Sequence, residues 1–389
     1  MKKTIYSILS AICLLYLIGC STPKYSIFRY DNGDDYFREG LHRIVGKDCK
    51  IGFADEKGNV VISPRFAFVF PFENGLAKAT HEGHQVAEGE HWQWISPEWF
   101  YIDHKGNIIR NDHRYSQIEE RLKTYVAAQD TRIGVAVIID GKDTVSVNGN
   151  RDFPMLSVYK FPQALAVADY CMKKGITLSD TIGIQAKEIK EDTWSPMRNK
   201  YGVSDLRLPL SEILEYSLQQ SDNNACDVLF RLIGGPQVSD SLMKASGYGD
   251  ITIGSTEDEM HRDPYLCYQN RATPIAMARL FDKFYRLEMR HDSPVHEAVG
   301  AMMMLCGTGD NRLPAPLAAT DAVIAHKTGT GGRNTQGRIV GINDAGYVFL
   351  PNGRGYAIAV FIADSAYDMA RTEKIIADIS KIVYQSLEN

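Results

Sequence analysis

The sequence predicts an α+β protein in which an antiparallel sheet carries helices on both faces, preceded by a small all-β module. Three observations predict it. An imperfect repeat built around Asp-x-x-Gly turns fills the early chain, apolar strands open and close the remainder, and a long helical stretch lies between those strands. A chain of 389 residues is more naturally two domains than one, since domains usually run to roughly 100–200 residues. Hydrophobic content of 44% and charged content of 23% suit a globular protein, and a net charge of −5 gives no basic field for nucleic acid.

Met1-Lys2-Lys3 is a basic tip, and Ile5 to Ile18 is an almost purely apolar run. That run is shorter than the roughly 20 residues a spanning helix needs, so residues 1–19 read as a signal peptide. It ends in Leu17-Ile18-Gly19-Cys20, which resembles a bacterial lipobox. The resemblance implies cleavage before Cys20 and lipid on that cysteine. It also implies anchoring in the bacterial envelope, with Ser21 favouring the outer membrane over the inner; a periplasm-facing orientation is expected, with the outer surface as the alternative. Residues 20–35 read as the lipidated cysteine and a polar tether. Of the other cysteines, Cys13 leaves with the leader. Cys49, Cys171, Cys226, Cys267 and Cys306 show no CxxC spacing and read as small buried residues.

Residues 36–111 form the repeat. Phe37-Arg38-Glu39-Gly40-Leu41 recurs as Phe72-Glu73-Asn74-Gly75-Leu76, and Gly52 to Val60 recurs as Phe100 to Ile108. In each copy of the second pair, Asp accepts local backbone bonds and Gly supplies positive φ, which is hairpin chemistry. The pattern resembles WG repeats, with the second copy stretched by a segment carrying Trp92, Trp94 and Trp99. Such a module reads as a spacer or as a docking surface for an envelope partner.

The second domain occupies residues 112–389. Ser116-x-x-Glu119 reads as a capping box opening a helix whose apolar face is Ile118, Leu122, Tyr125 and Val126. Ile133 to Ile139 and Thr144 to Val147 flank a Gly-Lys-Asp turn, which predicts a hairpin. A helical stretch runs from about Leu156 to Leu305. Strands return at Gly346 to Leu350 and Tyr356 to Ile362, around an Asn352-Gly353 turn. A last helix carries the stripe Ile375, Ile376, Ile379, Ile382, Val383 and Leu387.

Three motifs in this domain carry chemistry. Ser157-Val158-Tyr159-Lys160 places serine and lysine on one face of a helix start. A neutral lysine there could take the serine proton, and the helix N-terminus would favour the developing anion. Ser221-Asp222-Asn223, before apolar Val228-Leu229-Phe230, reads in isolation as a helix cap. His326-Lys327-Thr328-Gly329-Thr330 closes a strand-like run. The 10 histidines form no His-x-x-x-His or His/Cys cluster, so the pattern points to neither a zinc site nor any other metal.

In this order the motifs resemble those of class A serine β-lactamases and penicillin-binding proteins. The resemblance spans about Ser116 to Asn389. Thr193-Trp-Ser-Pro196, Tyr268-Gln-Asn270, Asn343 to Gly346 and Leu350 to Arg354 are similar to the branch containing cephalosporin-hydrolysing and extended-spectrum enzymes. It implies a β-lactamase/DD-peptidase-like fold with an all-helical subdomain, no cofactor, and hydrolysis of a penicillin or cephalosporin. Ser157 is then the nucleophile, Lys160 its proton acceptor, and Ser221 the relay to the departing nitrogen. Asn223 meets the substrate amide, while Lys327, Thr328, Gly329 and Thr330 gather at its carboxylate. Backbone N–H groups of Ser157 and Thr330 form the oxyanion hole. Glu257, in Glu257-Asp258-Glu259-Met260-His261, matches the family's water-activating base, and His261 its partner holding the water. The Arg-to-Asp bridge that braces this loop in many relatives is not evident.

Some choices stay open in the sequence. Glu257 to Glu259 also read as a solvated acidic loop, Trp194 as pocket mouth or core, and Arg312 and Arg338 each as a charge for the carboxylate or as a surface residue. Two rivals stand beside hydrolysis: a DD-peptidase-like acyltransferase with the same motifs, and a silent envelope-binding protein. A well-placed Glu257 disfavours the first; five intact reactive residues disfavour the second.

Overall fold

The structure, a computed structural model, describes residues 25–30, 33–73, 75–88, 91–96, 99–109, 113–286 and 293–388. The expected signal peptide, Cys20 and the domain start at Asp112 lie outside them. The chain divides into two compact units, Met1–His113 and Arg114–Asn389.

The first unit is all β. Strands Tyr25–Ile27, Leu41–Gly46, Ile51–Asp55 and Val60–Phe66 make one antiparallel sheet. Phe68–Val69, Ala77–Thr80, Phe100–Ile102 and Ile108–Ile109 make another. The repeat shows as two matching turns. Asp55 accepts from the backbone N–H groups of Lys57 and Asn59, and Asp103 from those of Lys105 and Asn107. Each carboxylate also takes the following Asn side chain at 2.9 Å. Those asparagine bonds hold both aspartates below the usual carboxylate range. The tryptophan-bearing insertion is a hairpin, His84–Glu88 with His91–Ile95, whose Trp92 and Trp94 pack on Phe68.

The tether reading of residues 20–35 is corrected from Tyr25 onward. Tyr25–Ile27 pairs with the Leu41–Gly46 strand. Asp35 is buried against Arg43, whose guanidinium donates to it at 2.8 and 3.0 Å and lies over the Phe28 ring. A segment with one buried aromatic and one buried carboxylate is part of the core, and its polar composition concealed that.

The second unit is built on a five-stranded antiparallel sheet. Its strands are β1 (Arg132–Ile139), β2 (Asp143–Val147), β3 (Val323–Thr330), β4 (Ile339–Phe349) and β5 (Gly355–Ser365), in the order β2-β1-β5-β4-β3. Strand side chains alternate between faces, and here the alternation sorts by size. Ile133, Val135, Val137, Ile358, Val360 and Ile362 face a core shared with α1 (His113–Ala127) and the closing helix Met369–Leu387. Ala136, Ala357, Ala359 and Ala363 face the other core, where small side chains let helices come close to the sheet. That core holds α2 (Lys160–Lys174), α3 (Asn223–Ile233) and Pro274–Tyr285.

Three sequence readings change in detail. Ser116 does not open α1, because the apolar stripe already includes buried Tyr115; Glu119 instead pairs with Lys123 at 2.6 Å. The helical stretch is interrupted by the antiparallel pair Thr181–Ile184 with Leu206–Pro209 and by two two-residue strands, Ile251–Thr252 and Arg271–Ala272. β4 begins at Ile339, well before Gly346, because polar Asn343 and Asp344 are fully buried within it.

The two units should unfold independently. A chain trimmed to residues 112–389 should keep the thermal midpoint of the second unit within about 4 °C, since about 1 kcal/mol moves Tm by roughly 2–4 °C at this size. A larger drop in scanning calorimetry would show that the repeat module stabilises its neighbour.

Candidate active site

Ser157 lies in a 3-10 turn, Leu156–Tyr159, that leads into α2. Leu156 has φ +49, a left-handed conformation that is uncommon for leucine. Its surroundings impose that geometry. The Met155 N–H donates to Asn270 O at 2.8 Å, and the buried Asn343 amide donates to the carbonyls of Pro154 and Met155. β3 runs alongside, and Gly329 makes this approach possible. A Cβ there would lie 2.5 Å from Met155 O and 3.2 Å from the Ser157 nitrogen.

Lys160 is fully buried one turn after Ser157. Its ammonium donates to Asn223 Oδ1 at 2.7 Å and to Ser221 O at 2.9 Å, and lies 3.0 Å from Glu257 Oε1. The same carboxylate oxygen is 3.5 Å from the Ser157 hydroxyl. Burial alone would depress the lysine, but the Glu257 charge outweighs it and holds Lys160 above its ordinary value. The expectation of a neutral lysine is therefore corrected. In this state the ammonium is charged, and Glu257 is the acceptor beside Ser157.

The Ser-Asp-Asn motif serves cap and site together. Asp222 is the N-cap of α3, accepting from Ala225 N, and its carboxylate also accepts from Ser195 and Met197 N. Ser221 sits just before it at φ +58. The Ser221 hydroxyl accepts from Lys327 Nζ at 2.9 Å, while Asn223 Nδ2 donates to Thr193 at 2.8 Å. Lys327 is buried; burial, with Lys160 nearby, pulls it down to about 8. Trp194 is exposed rather than core, its indole donating to Gln220 O.

The two arginines part company around β3. Arg312 is buried, donates to Thr330 Oγ1 at 2.7 Å, and pairs with Glu373 at 2.9 Å. Arg338 instead donates to Asp364 O, away from these contacts. The Thr328 hydroxyl lies 2.6 Å from that of Thr308.

The acidic loop forms a short helix, α4 (Glu257–Arg262). Glu259 belongs to its cap: it accepts from Thr256 N at 2.9 Å while the Thr256 hydroxyl accepts from Glu259 N. Glu257 alone of the three acids reaches Lys160 and Ser157. The His261 ring lies 2.7 Å from the Asp192 carboxylate. That ring lines a cleft of about 10 Å³ together with Glu257 and Asn223, roughly the room one water needs.

Sequence reasoning missed Asp227. Its two oxygens accept from Glu257 N and Asp258 N, both at 2.8 Å. Burial, then the Glu257 charge, pushes this carboxyl up to about 7. It fixes the base's backbone. The available signal was an acid ending the polar run Ser221 to Asp227 on a helix that otherwise turns apolar.

A model described as the β-lactamase enzyme family matches residues 117–387. This chain is a member of that family. A WG repeat model matches residues 51–83. A β-lactamase of Bacteroides uniformis is 36% identical over 272 residues, 70% of this chain and 92% of that one. The crystal structure of a class A β-lactamase from Bacteroides cellulosilyticus matches with a TM-score of 0.68 at 35% identity, over 72% of this chain and 99% of that one. That of TLA-1 extended-spectrum β-lactamase matches with a TM-score of 0.68 at 36% identity, over 70% and 99%. The protein is a serine β-lactamase with an all-β WG-repeat region before its catalytic unit.

Replacing Asp227 by alanine leaves two loop N–H groups without their acceptor. These donors are partly buried, and each left unpaired costs up to about 1–3 kcal/mol. Asp227→Ala should lower both the thermal midpoint and the lactam turnover number, the latter by at least about tenfold. Unchanged turnover would mean that α4 holds Glu257 without this brace.

Proposed function

We propose that this β-lactamase opens penicillins and cephalosporins through a Ser157 acyl-enzyme and clears it with water activated by Glu257. The observation that carries this reading is the single Glu257 oxygen within 3.0 Å of Lys160 and 3.5 Å of Ser157. That oxygen accepts the serine proton directly or through Lys160 as Ser157 attacks the carbonyl. Ser157 and Thr330 N–H groups stabilise the oxyanion, where one donor is typically worth about 10²–10³ in rate. Ser221, tied to Lys327, passes a proton to the departing nitrogen. The carboxylate lies among Lys327, Thr328, Gly329 and Thr330, with Arg312 held behind Thr330. Asn223 meets the side-chain amide. Glu257 then takes a proton from water in the cleft beside His261 and Asn223. A carboxylate so placed favours hydrolysis over a peptidase that stays acylated.

Glu257→Gln keeps the shape and removes the base. It should accumulate a penicilloyl adduct on Ser157, visible in an intact mass spectrum, whereas Ser157→Ala should show none. Glu259→Gln should turn over nearly normally, because glutamine can keep the cap to Thr256. If Glu259→Gln traps the adduct and Glu257→Gln does not, the assignment fails.

We also propose that the chain is a lipoprotein of the bacterial envelope, anchored through Cys20 and facing the periplasm. The support is Leu17-Ile18-Gly19-Cys20 after an apolar run. Cys20→Ser should lose labelling by a fatty-acid analogue and leave the membrane pellet. Retained label on that variant would contradict the anchor.

A further inference from the structure

Arg312 reaches Thr330 from a segment with no regular structure of its own. Residues 305–322, between the helix Pro294–Met304 and β3, form neither helix nor strand. No ladder of backbone bonds fixes the path of this segment; local turns and bonds from neighbouring side chains do. Arg312 N donates to Gly309 O at 2.8 Å in one such turn. From outside the segment, two side chains hold the next residue, Leu313, which is itself fully buried. Asp344 Oδ2 on β4 accepts from Leu313 N at 3.2 Å, and the Ser380 hydroxyl on the closing helix donates to Leu313 O at 2.8 Å.

Asp344 has no exposed surface, so each of its oxygens needs a donor. Leu313 N serves one, and His326 Nδ1, 2.9 Å from Oδ1, serves the other. The sheet register brings these groups together. Across β4 and β3, Asp344 pairs with Thr328 and Gly346 with His326, and alternate residues of a strand share a face. His326, Thr328 and Thr330 therefore stand on the face that Asp344 occupies, while Lys327 points to the other, toward Ser221. Gly346 leaves room for the imidazole, since a Cβ there would lie 2.7 Å from His326 Cβ. The run Asn343-Asp344 thus has two tasks on opposite faces of β4. Asn343 holds the turn before Ser157, and Asp344 holds the segment that carries Arg312.

We propose that Asp344 is a positioning residue for recognition of the substrate carboxylate. Through Leu313 it sets Arg312 behind Thr330. There, Arg312 Nη2 donates to Thr330 Oγ1 at 2.7 Å and Nη1 to Asn343 O at 3.1 Å, with Glu373 as counterion at 2.9 Å. The bond from Arg312 occupies a lone pair of the Thr330 oxygen, which leaves the hydroxyl proton to be donated to the carboxylate. Asp344 acts on that bond through Arg312 and not on the substrate. This role rests on the proposed placement of the carboxylate among Lys327, Thr328, Gly329 and Thr330.

The test compares nitrocefin with its carboxylate methyl ester on the purified full chain. Its readout is the ratio of the two kcat/KM values, because general loosening of the site lowers both alike. Arg312→Ala should reduce the preference for the acid at least about tenfold, the order of a lost charge-assisted hydrogen bond. In Asp344→Asn the amide oxygen can accept from only one of His326 and Leu313. That variant should reduce the preference at least about threefold, the order of one net hydrogen bond, chiefly through KM. In the Arg312→Ala background it should reduce the preference no further. Ser380→Ala releases the other side of Leu313 and should act in the same direction, so it decides the matter if Asp344→Asn does not fold. An unchanged preference in folded Asp344→Asn (or, failing that, in Ser380→Ala), an equal loss for acid and ester, or a further loss in the Arg312→Ala background would each overturn the proposal. An unchanged preference in Arg312→Ala alone would overturn the placement of the carboxylate as well.

Discussion

The charge pair between Lys160 and Glu257 is the interaction on which the catalytic unit depends. An ammonium with no exposed surface is costly unless a partner and hydrogen bonds replace its water. Here three oxygens do so, from Glu257, Asn223 and Ser221. They come from separate parts of the chain, and each part is held by its own device. Asp222 caps α3 below Ser221 and Asn223, and Asp227 holds the first two N–H groups of α4. Lys160 is thus where the nucleophile turn, the Ser-Asp-Asn loop and the acidic loop meet. Removing Glu257 changes the chemistry and also leaves a buried charge short of its counterion.

Strain and close approach complete the site. Leu156 and Ser221 both adopt positive φ, and such residues persist only where their neighbours over-determine them. For Leu156 the determining groups are Asn270 and Asn343, buried polar residues that look misplaced in a strand-rich sequence until their partners are seen. Gly329 then lets β3 lie against the Ser157 turn without a side chain between them. The repeat module uses a different economy of parts. Asp55 and Asp103 build the same turn twice from the same Asp-x-x-Gly-Asn pattern.

Much of this was legible in the sequence, for a physical reason. Ser157 and Lys160 are close in sequence, Lys327-Thr328-Gly329 is contiguous, and local patterns report local geometry. Glu257 was separable from Glu259 only by resemblance; the structure adds the reason, because Glu259 caps the helix. Long-range pairs left no such trace. The polar run ending at Asp227 marks the acid but not the loop it holds, nothing near Arg312 indicates Thr330, and Asp35 reads as tether until Arg43 is placed beside it. The charge on Lys160 was misjudged for the same reason. Burial is suggested by a helix near the core, but the counterion that reverses its effect arrives from another loop.

The most direct test of this account is the charge on Lys160, followed by the side-chain NMR signals of isotopically labelled lysine across a pH titration. With Glu257 in place, Lys160 should remain protonated to a pH above the about 10.4 of an ordinary lysine. In Glu257→Gln, burial is no longer offset by that charge, and the midpoint should fall below the ordinary value. A Lys160 already neutral at pH 7 in the unaltered protein, or a midpoint indifferent to Glu257, would contradict the account.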